Sequence, residues 1–199
     1  MIGIDTSTDH VLEDDRVLLR PLTTDDHAHL LPFSLNEPGI WKYSLQRAIG
    51  SEGLAAYISA ALAGRAQGSA YPFIVFDKRA GAYAGSTRYY DSQPAFSTAQ
   101  LGYTWYGSAF QGTGLNTHCK FLMLRFAFEH CGLERVEFRA DANNARSIAA
   151  MKRIGCTEEG ILRSHMPDPD GGRRSSIVLS ILRDEWFSRV RGDLEQRLV

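Results

Sequence analysis

Apolar positions change their spacing several times along the chain, and each change marks an element. From 16 to 22 the run RVLLRPL is strand-like and stops at Pro21, after which Thr24-Asp25-Asp26 reads as a helix start leading into 27–33. Residues 38–50 hold a proline, two glycines, Trp41 and Tyr43 without clear period, which predicts an irregular, partly apolar loop. Leu54, Ile58 and Leu62 then recur every four residues in a helix running from Ser51-Glu52 to Gly64. Three β-rich runs follow, at 71–77, 83–90 and 98–106, with connections short enough for an antiparallel meander. Beyond Gln111-Gly112-Thr113-Gly114 the period returns to that of a helix, with Leu115, Cys119, Leu122 and Phe126 on one face as far as Cys131-Gly132. A strand at 135–140, a helix at 144–154 stopped by Gly155, strands at 156–163 and 175–182 around the loop 167–172, and a helix capped by Asp184 complete the order.

Composition narrows the class. At 199 residues, 44% hydrophobic and 23% charged, the chain has ordinary globular composition and room for one domain with a substantial core. Lys plus Arg number 22 and Asp plus Glu 23, so no global field favours nucleic acid or an anionic membrane, and any anion site has to be local. Cys119, Cys131 and Cys156 stand in no CxxC or CxxxH spacing, and read as buried free thiols, with neither a disulfide framework nor a metal site expected. Residues 1–15 are polar and acidic with no apolar h-region, and no later run approaches the ~18 apolar residues of a membrane span. A flexible arm over 1–15, a single domain over 16–199 and a soluble, cytoplasmic setting are therefore expected.

Gly112 and Gly114 free the backbone of side chains where a helix begins, and a helix start presents unpaired amides at the positive end of the peptide dipole. Such a turn can cradle an anion, but two glycines before a helix are by themselves more often a plain structural turn, and neither GxGxxG nor GxxxxGK[ST] is present. More specific is a joint pattern: Gln111-x-x-Gly114 after a strand, Asn144-x-x-Ser147, Ile154-Gly155-Cys156, and Glu159-Gly160-x-x-Arg163. With these motifs the chain resembles the GCN5-related N-acetyltransferase (GNAT) superfamily, in the branch of the RimJ/RimL-type ribosomal-protein N-terminal acetyltransferases. The resemblance extends from LLRPL near Val17 to the SILRDEW run ending at Trp186.

The resemblance implies an α/β fold of the mixed α+β kind. Its twisted, mostly antiparallel sheet would have about seven strands, flanked by helices and splayed between the fourth and fifth, so that pantetheine hydrogen-bonds there like an added strand. Acetyl-CoA would be the co-substrate. The backbone of Thr104, Trp105 and Tyr106 would hold the pantetheine arm, and Gln111, Gly112, Thr113, Gly114, Leu115 and Asn116 the pyrophosphate. Asn144 would reach the pantetheine amides, and Ser147, one helical turn later, would lie beside the thioester sulfur. Asn116 departs from the Gly or Ala that ends the family turn but can still present its amide, so binding is expected to survive; His118 departs from an acidic residue common in relatives and Cys156 from a Phe, and these two read as packing variants.

Acetyl transfer to an amine needs a neutral nucleophile, a polarised thioester carbonyl and a proton for the leaving thiolate. An α-amine, with a pKa near ~8, asks less of a base than a lysine amine near ~10.4. Met151 replaces the tyrosine acid common in the superfamily, so the resemblance offers Ser147 as proton donor or thiolate hydrogen bond, against a hydroxyl bonded back to the preceding turn. Glu137 is the candidate base, on one strand face with Arg139 and Asp141, against a reading as an arginine-paired carboxylate. Gln100 stands where relatives often carry Glu and cannot accept a proton. Trp41, Tyr43, Arg88, His165 and Arg173-Arg174 are candidates for an acceptor groove between the first helical region and the last hairpin, although such residues are commonly packing or solvated surface.

The function implied is acetyl-CoA-dependent transfer to a primary amine, a protein N-terminal α-amine among the acceptors, directly within a ternary complex. A small-molecule amine (polyamine, antibiotic or amino acid) as acceptor, or a non-catalytic CoA-binding module, are the alternatives. Neither nucleic acid nor a membrane is expected as partner, and a homodimer is left open.

Overall fold

The computed structural model describes residues 3–198. A two-residue strand β1 (Leu12–Glu13) precedes β2 (Val17–Pro21), and α1 (His27–Asn36) and α2 (Gly50–Ala66) follow. The start read at Thr24-Asp25-Asp26 is a 3-10 turn: Asp26 accepts from the Thr23 amide at 2.8 Å and, on its other side, from both terminal nitrogens of Arg20. The meander is β3 (Ala70–Asp77), β4 (Ala82–Gln93) and β5 (Thr98–Tyr106). After it come α3 (Leu115–Arg125), closed by a π turn at Phe126–His130, then β6 (Arg135–Asp141), α4 (Ala145–Arg153), β7 (Thr157–Pro167) and β8 (Arg173–Leu182). A helical segment over 183–195 ends the fold. No helix among the described residues is long and apolar enough to cross a membrane.

The eight strands form one sheet in the order β1-β2-β3-β4-β5-β6-β8-β7, antiparallel except where β6 runs parallel to β5. That one parallel pair follows from the α3 crossover, since a helix rather than a hairpin joins the two strands. Alternation along the strands feeds two apolar layers. Phe73 and Val75 face a core with Leu115, Leu122, Phe138 and Trp186, which α3, α4 and the C-terminal segment cover. Ile74, between them in sequence, faces the opposite side, where α1 and α2 bring Leu30, Leu54, Tyr57 and Ile58 against Trp41 and Trp105.

One irregularity positions everything that follows. Ser86 pairs with Trp105 and Arg88 with Gly102, so Tyr103 and Thr104 together oppose Thr87 in a bulge, and Tyr103 takes a left-handed φ of 48°. Next to the bulge β4 carries Gly85, where a Cβ would stand 2.1 Å from the Trp105 carbonyl oxygen; only glycine admits so close an approach. On its other edge β5 pairs with β6 only through Thr98, Ala99 and Gln100, and the two strands then part.

Two expectations need correction. The sheet has eight strands where seven were expected, because β1 pairs with β2 through Leu12↔Leu19 and Glu13↔Leu18. The arm expected to be loose is packed against the domain from Gly3 onward; Met1 and Ile2 lie outside the described residues. Ile4 and Leu12 are buried, and the Gly3 amide donates to the Cys131 carbonyl at 2.9 Å. Arg65 donates to the carbonyls of Thr6 and Thr8 and to Asp9, while the Tyr71 hydroxyl bridges the Thr8 carbonyl and the His10 amide. Polar composition was a poor guide because these polar groups are bonded to the domain instead of to water.

Candidate active site

The parting of β5 from β6 leaves the backbone of 101–106 bonded on its β4 side and without a strand partner on the other. The side chains of Thr104, Trp105 and Tyr106 are engaged elsewhere. Thr104 Oγ1 meets Thr87 Oγ1 and Lys120 Nζ, each at 2.7 Å; Trp105 packs on Trp41; and the Tyr106 hydroxyl donates to Asn116 Oδ1 at 3.3 Å. What this stretch offers the opening is therefore main chain.

At the end of β5 the Gln111 side chain donates to the Tyr106 carbonyl at 2.7 Å and ties the glycine turn to the strand. Gly112 and Gly114 have φ of 78° and 90°, and a Cβ at either would meet nothing within 4 Å, so the turn is open as well as left-handed. Thr113 closes the turn on the Phe110 carbonyl, and Gly114 caps α3 without any side-chain bond. The first turn of α3 carries no acidic residue, and the amides of Leu115 and Asn116 sit at the dipole's positive end, the Leu115 amide with only a long 3.5 Å contact to Thr113 Oγ1.

Just beyond β6, Asn144 caps α4 by accepting the Ser147 amide on Oδ1 at 3.1 Å, and its NH2 group makes no hydrogen bond among the described residues. Ser147 is half-buried, and among the described residues its hydroxyl makes no bond back to the preceding turn. Glu137 has the arginine-paired arrangement: Oε1 accepts from Arg139 at 2.6 Å and Oε2 from Arg135 at 2.8 Å. Arg135 in turn grips Glu159.

The acceptor candidates fall into two groups. Trp41 is fully enclosed against Trp105, and Arg88 lies between the rings of Tyr57 and Tyr103. Tyr43 and His165 are linked through the last hairpin: Arg174 donates to the Tyr43 carbonyl at 3.1 Å, and His165 Nδ1 lies 3.2 Å from Ser176 Oγ. Arg47 and Asp170 join the same loop to the same hairpin by two hydrogen bonds. The two walls do meet, but Trp41 contributes packing.

His118, a departure from the motif, is buried against Asp14 at 2.8 Å and helps hold the arm. Burial pushes the thiols of Cys119, Cys131 and Cys156 up to about 12, which leaves them inert packing groups. Sequence reasoning missed Lys120, whose ammonium is enclosed beneath the bulge, bonded among the described residues only to Thr87 and Thr104, and lowered by that burial to about 7. Nothing in the α3 pattern marks it, because a lone lysine in a helix is ordinarily solvated.

A mixed sheet opened beside a glycine turn at a helix start defines a class, and the sequence profile of the acetyltransferase (GNAT) domain family matches residues 16–157. The chain belongs to that family. It is similar to the Bacillus subtilis (strain 168) protein named "Putative ribosomal N-acetyltransferase YdaF", at 34% identity over 88 residues. That stretch is 44% of this chain and 47% of the relative, so the match spans about half the length of the curated protein. Among solved structures, a T. thermophilus protein described as a "putative acetyltransferase" shares 29% identity and a TM-score of 0.85 over 96% of this chain and 97% of that one. Mycobacterium smegmatis RimJ in complex with CoA-disulfide has the same fold at 22% identity, with a TM-score of 0.79 over 98% and 97% of the two chains.

Proposed function

We propose that the chain is an acetyl-CoA-dependent N-acetyltransferase whose acceptor is a primary amine, a protein N-terminal α-amine among the candidates, with direct transfer in a ternary complex. The observation that carries this reading is the β5/β6 opening running into the glycine turn of α3, on a chain of the acetyltransferase family. The open cradle at Gly112 and Gly114 and the amides at the start of α3 fit a pyrophosphate, and the main-chain edge of 104–106, which no strand covers, fits an extended amide chain. The Asn144 NH2 group would donate to that chain's carbonyls.

Bound acetyl-CoA supplies an activated acetyl group and a stable thiolate leaving group. The Ser147 hydroxyl, free of the helix backbone, hydrogen-bonds developing charge on sulfur. A main-chain amide near Trp105 stabilises charge on the carbonyl oxygen. Glu137 is held between Arg135 and Arg139 as the candidate base, and an amine already neutral makes least demand on it.

Calorimetry with acetyl-CoA, followed by CoA release in the presence of peptide and small amines, tests the reading. Binding with amine-dependent release is expected. Binding without such release would leave a CoA-binding module, and absence of binding would remove the reading altogether.

A further inference from the structure

Arg88 on β4 is 5% exposed, yet its guanidinium makes no hydrogen bond or ion pair with any described residue; Nε and one terminal nitrogen are fully enclosed and unpartnered. The Tyr103 ring centroid lies 3.8 Å from it and that of Tyr57 4.8 Å. Two ring faces offset an enclosed charge only in part. Arg20 and Arg174, by contrast, meet Asp26 and the Tyr43 carbonyl. A second enclosed group stands beside Arg88. Gln100 is 6% exposed, and its Nε2 donates to Asp91 at 2.7 Å, which fixes the amide and leaves Oε1 enclosed without a donor among the described residues.

The register brings the two together. Arg88 pairs with Gly102 and Tyr90 with Gln100, so Arg88 and Gln100 are diagonal neighbours on one sheet face, ~7–8 Å apart. Gln100 is also the last β5 residue paired to β6, so it lies at the apex of the opening, with Arg88 one strand away on β4. The cofactor's edge of β5 begins beyond them.

We propose that Arg88 and Gln100 form an acceptor subsite for an amine that carries a carboxylate: the Arg88 fork takes the carboxylate, and Gln100 Oε1 takes an N–H of the amine. A planar fork matches a carboxylate in two parallel bonds, and the site's enclosed polar groups go unpaired with any acceptor that lacks one. This rests on the transfer reading above. A free amino acid and an acidic residue at the start of a peptide both supply the chemistry.

The test compares acetylation of free Asp, Glu and Leu with that of their carboxamide counterparts, and of C-terminally amidated peptides beginning Asp or Glu with those beginning Asn or Gln. In the parent protein kcat/KM should favour the carboxylate by about ten- to a hundredfold. In Arg88→Met the ratio should fall toward one while acetyl-CoA affinity holds. Arg88→Lys keeps the charge without the fork and should retain part of the preference; it carries the test if Arg88→Met fails to fold. Preference within the free series assigns the subsite to amino acids, and within the peptides to protein N-termini. An unchanged ratio in the variants, silence of every carboxylate-bearing amine, or lost acetyl-CoA affinity in Arg88→Met each overturns the subsite. Acetylation of neutral amines without acid preference sinks the subsite alone, whereas failure of the parent to bind acetyl-CoA sinks the transfer reading itself.

Discussion

The Asn144 side-chain oxygen Oδ1 is committed to the Ser147 amide at 3.1 Å, whereas the Ser147 hydroxyl bonds nothing on its own helix. Ser147→Ala therefore keeps the cap, which uses only the main-chain amide, and removes only the hydroxyl. If that hydroxyl acts on the departing sulfur, turnover should fall about ten- to a hundredfold while acetyl-CoA binding is unmoved. Equal turnover with thiolate departure rate-limiting would make it a bystander. Lys120 makes a different kind of prediction. Its ammonium titrates at about 7 in the folded chain, against an ordinary lysine value of 10.5 once unfolding exposes it to water. Between those values the unfolded chain holds more protons, so stability should climb with pH across that window and level off below it. Lys120→Met should abolish the slope and stabilise the protein near neutral pH by an amount on the order of a few kcal/mol. Denaturant melts of the two proteins from about pH 6 to about pH 10 decide it, and a slope unchanged in the variant would show that another group titrates.

At the scale of elements, the glycine turn and α3 are a single device. Gly114→Asp should abolish acetyl-CoA binding, because a carboxylate would enter the anion cradle at a position whose φ of 90° already disfavours a Cβ. Calorimetry on a folded variant measures it, and an unchanged affinity would place the pyrophosphate elsewhere. The same device shows what the sequence could disclose. The ladder Leu115, Cys119, Leu122 is a long periodic signal, and all three residues are buried, so α3 was legible from spacing alone. The opening beside it was not. It depends on a bulge at Tyr103 and on the early parting of β5 and β6, neither of which alters the alternation of apolar residues, and only resemblance of motifs pointed there. Arg88 and Gln100 could be named from the sequence, but their isolation could not, since a missing partner is a property of packing.

At the scale of the whole molecule, the N-terminal arm bears on whether the domain begins at β2 or before it. Spacing gave no sign of β1, because two residues are too few to show a period. The arm's contacts converge on Arg65: from α2 it reaches Thr6, Thr8 and Asp9, and its guanidinium lies 4.7 Å from the centre of the Tyr71 ring. The arm in turn touches α3 through Asp14 and His118, and the end of its π turn through Gly3 and Cys131. If the arm unfolds with the rest, Arg65→Ala removes its bonds from the global equilibrium and should lower stability by about 1–3 kcal/mol. If the arm opens by itself, the variant should leave the global midpoint in place and raise only amide exchange over 4–12. The packed side chains of Ile4 and Leu12 favour the first outcome. Urea unfolding measured together with hydrogen exchange separates the two, and an unchanged midpoint with fast exchange in both proteins would make the arm the loose segment its composition suggests.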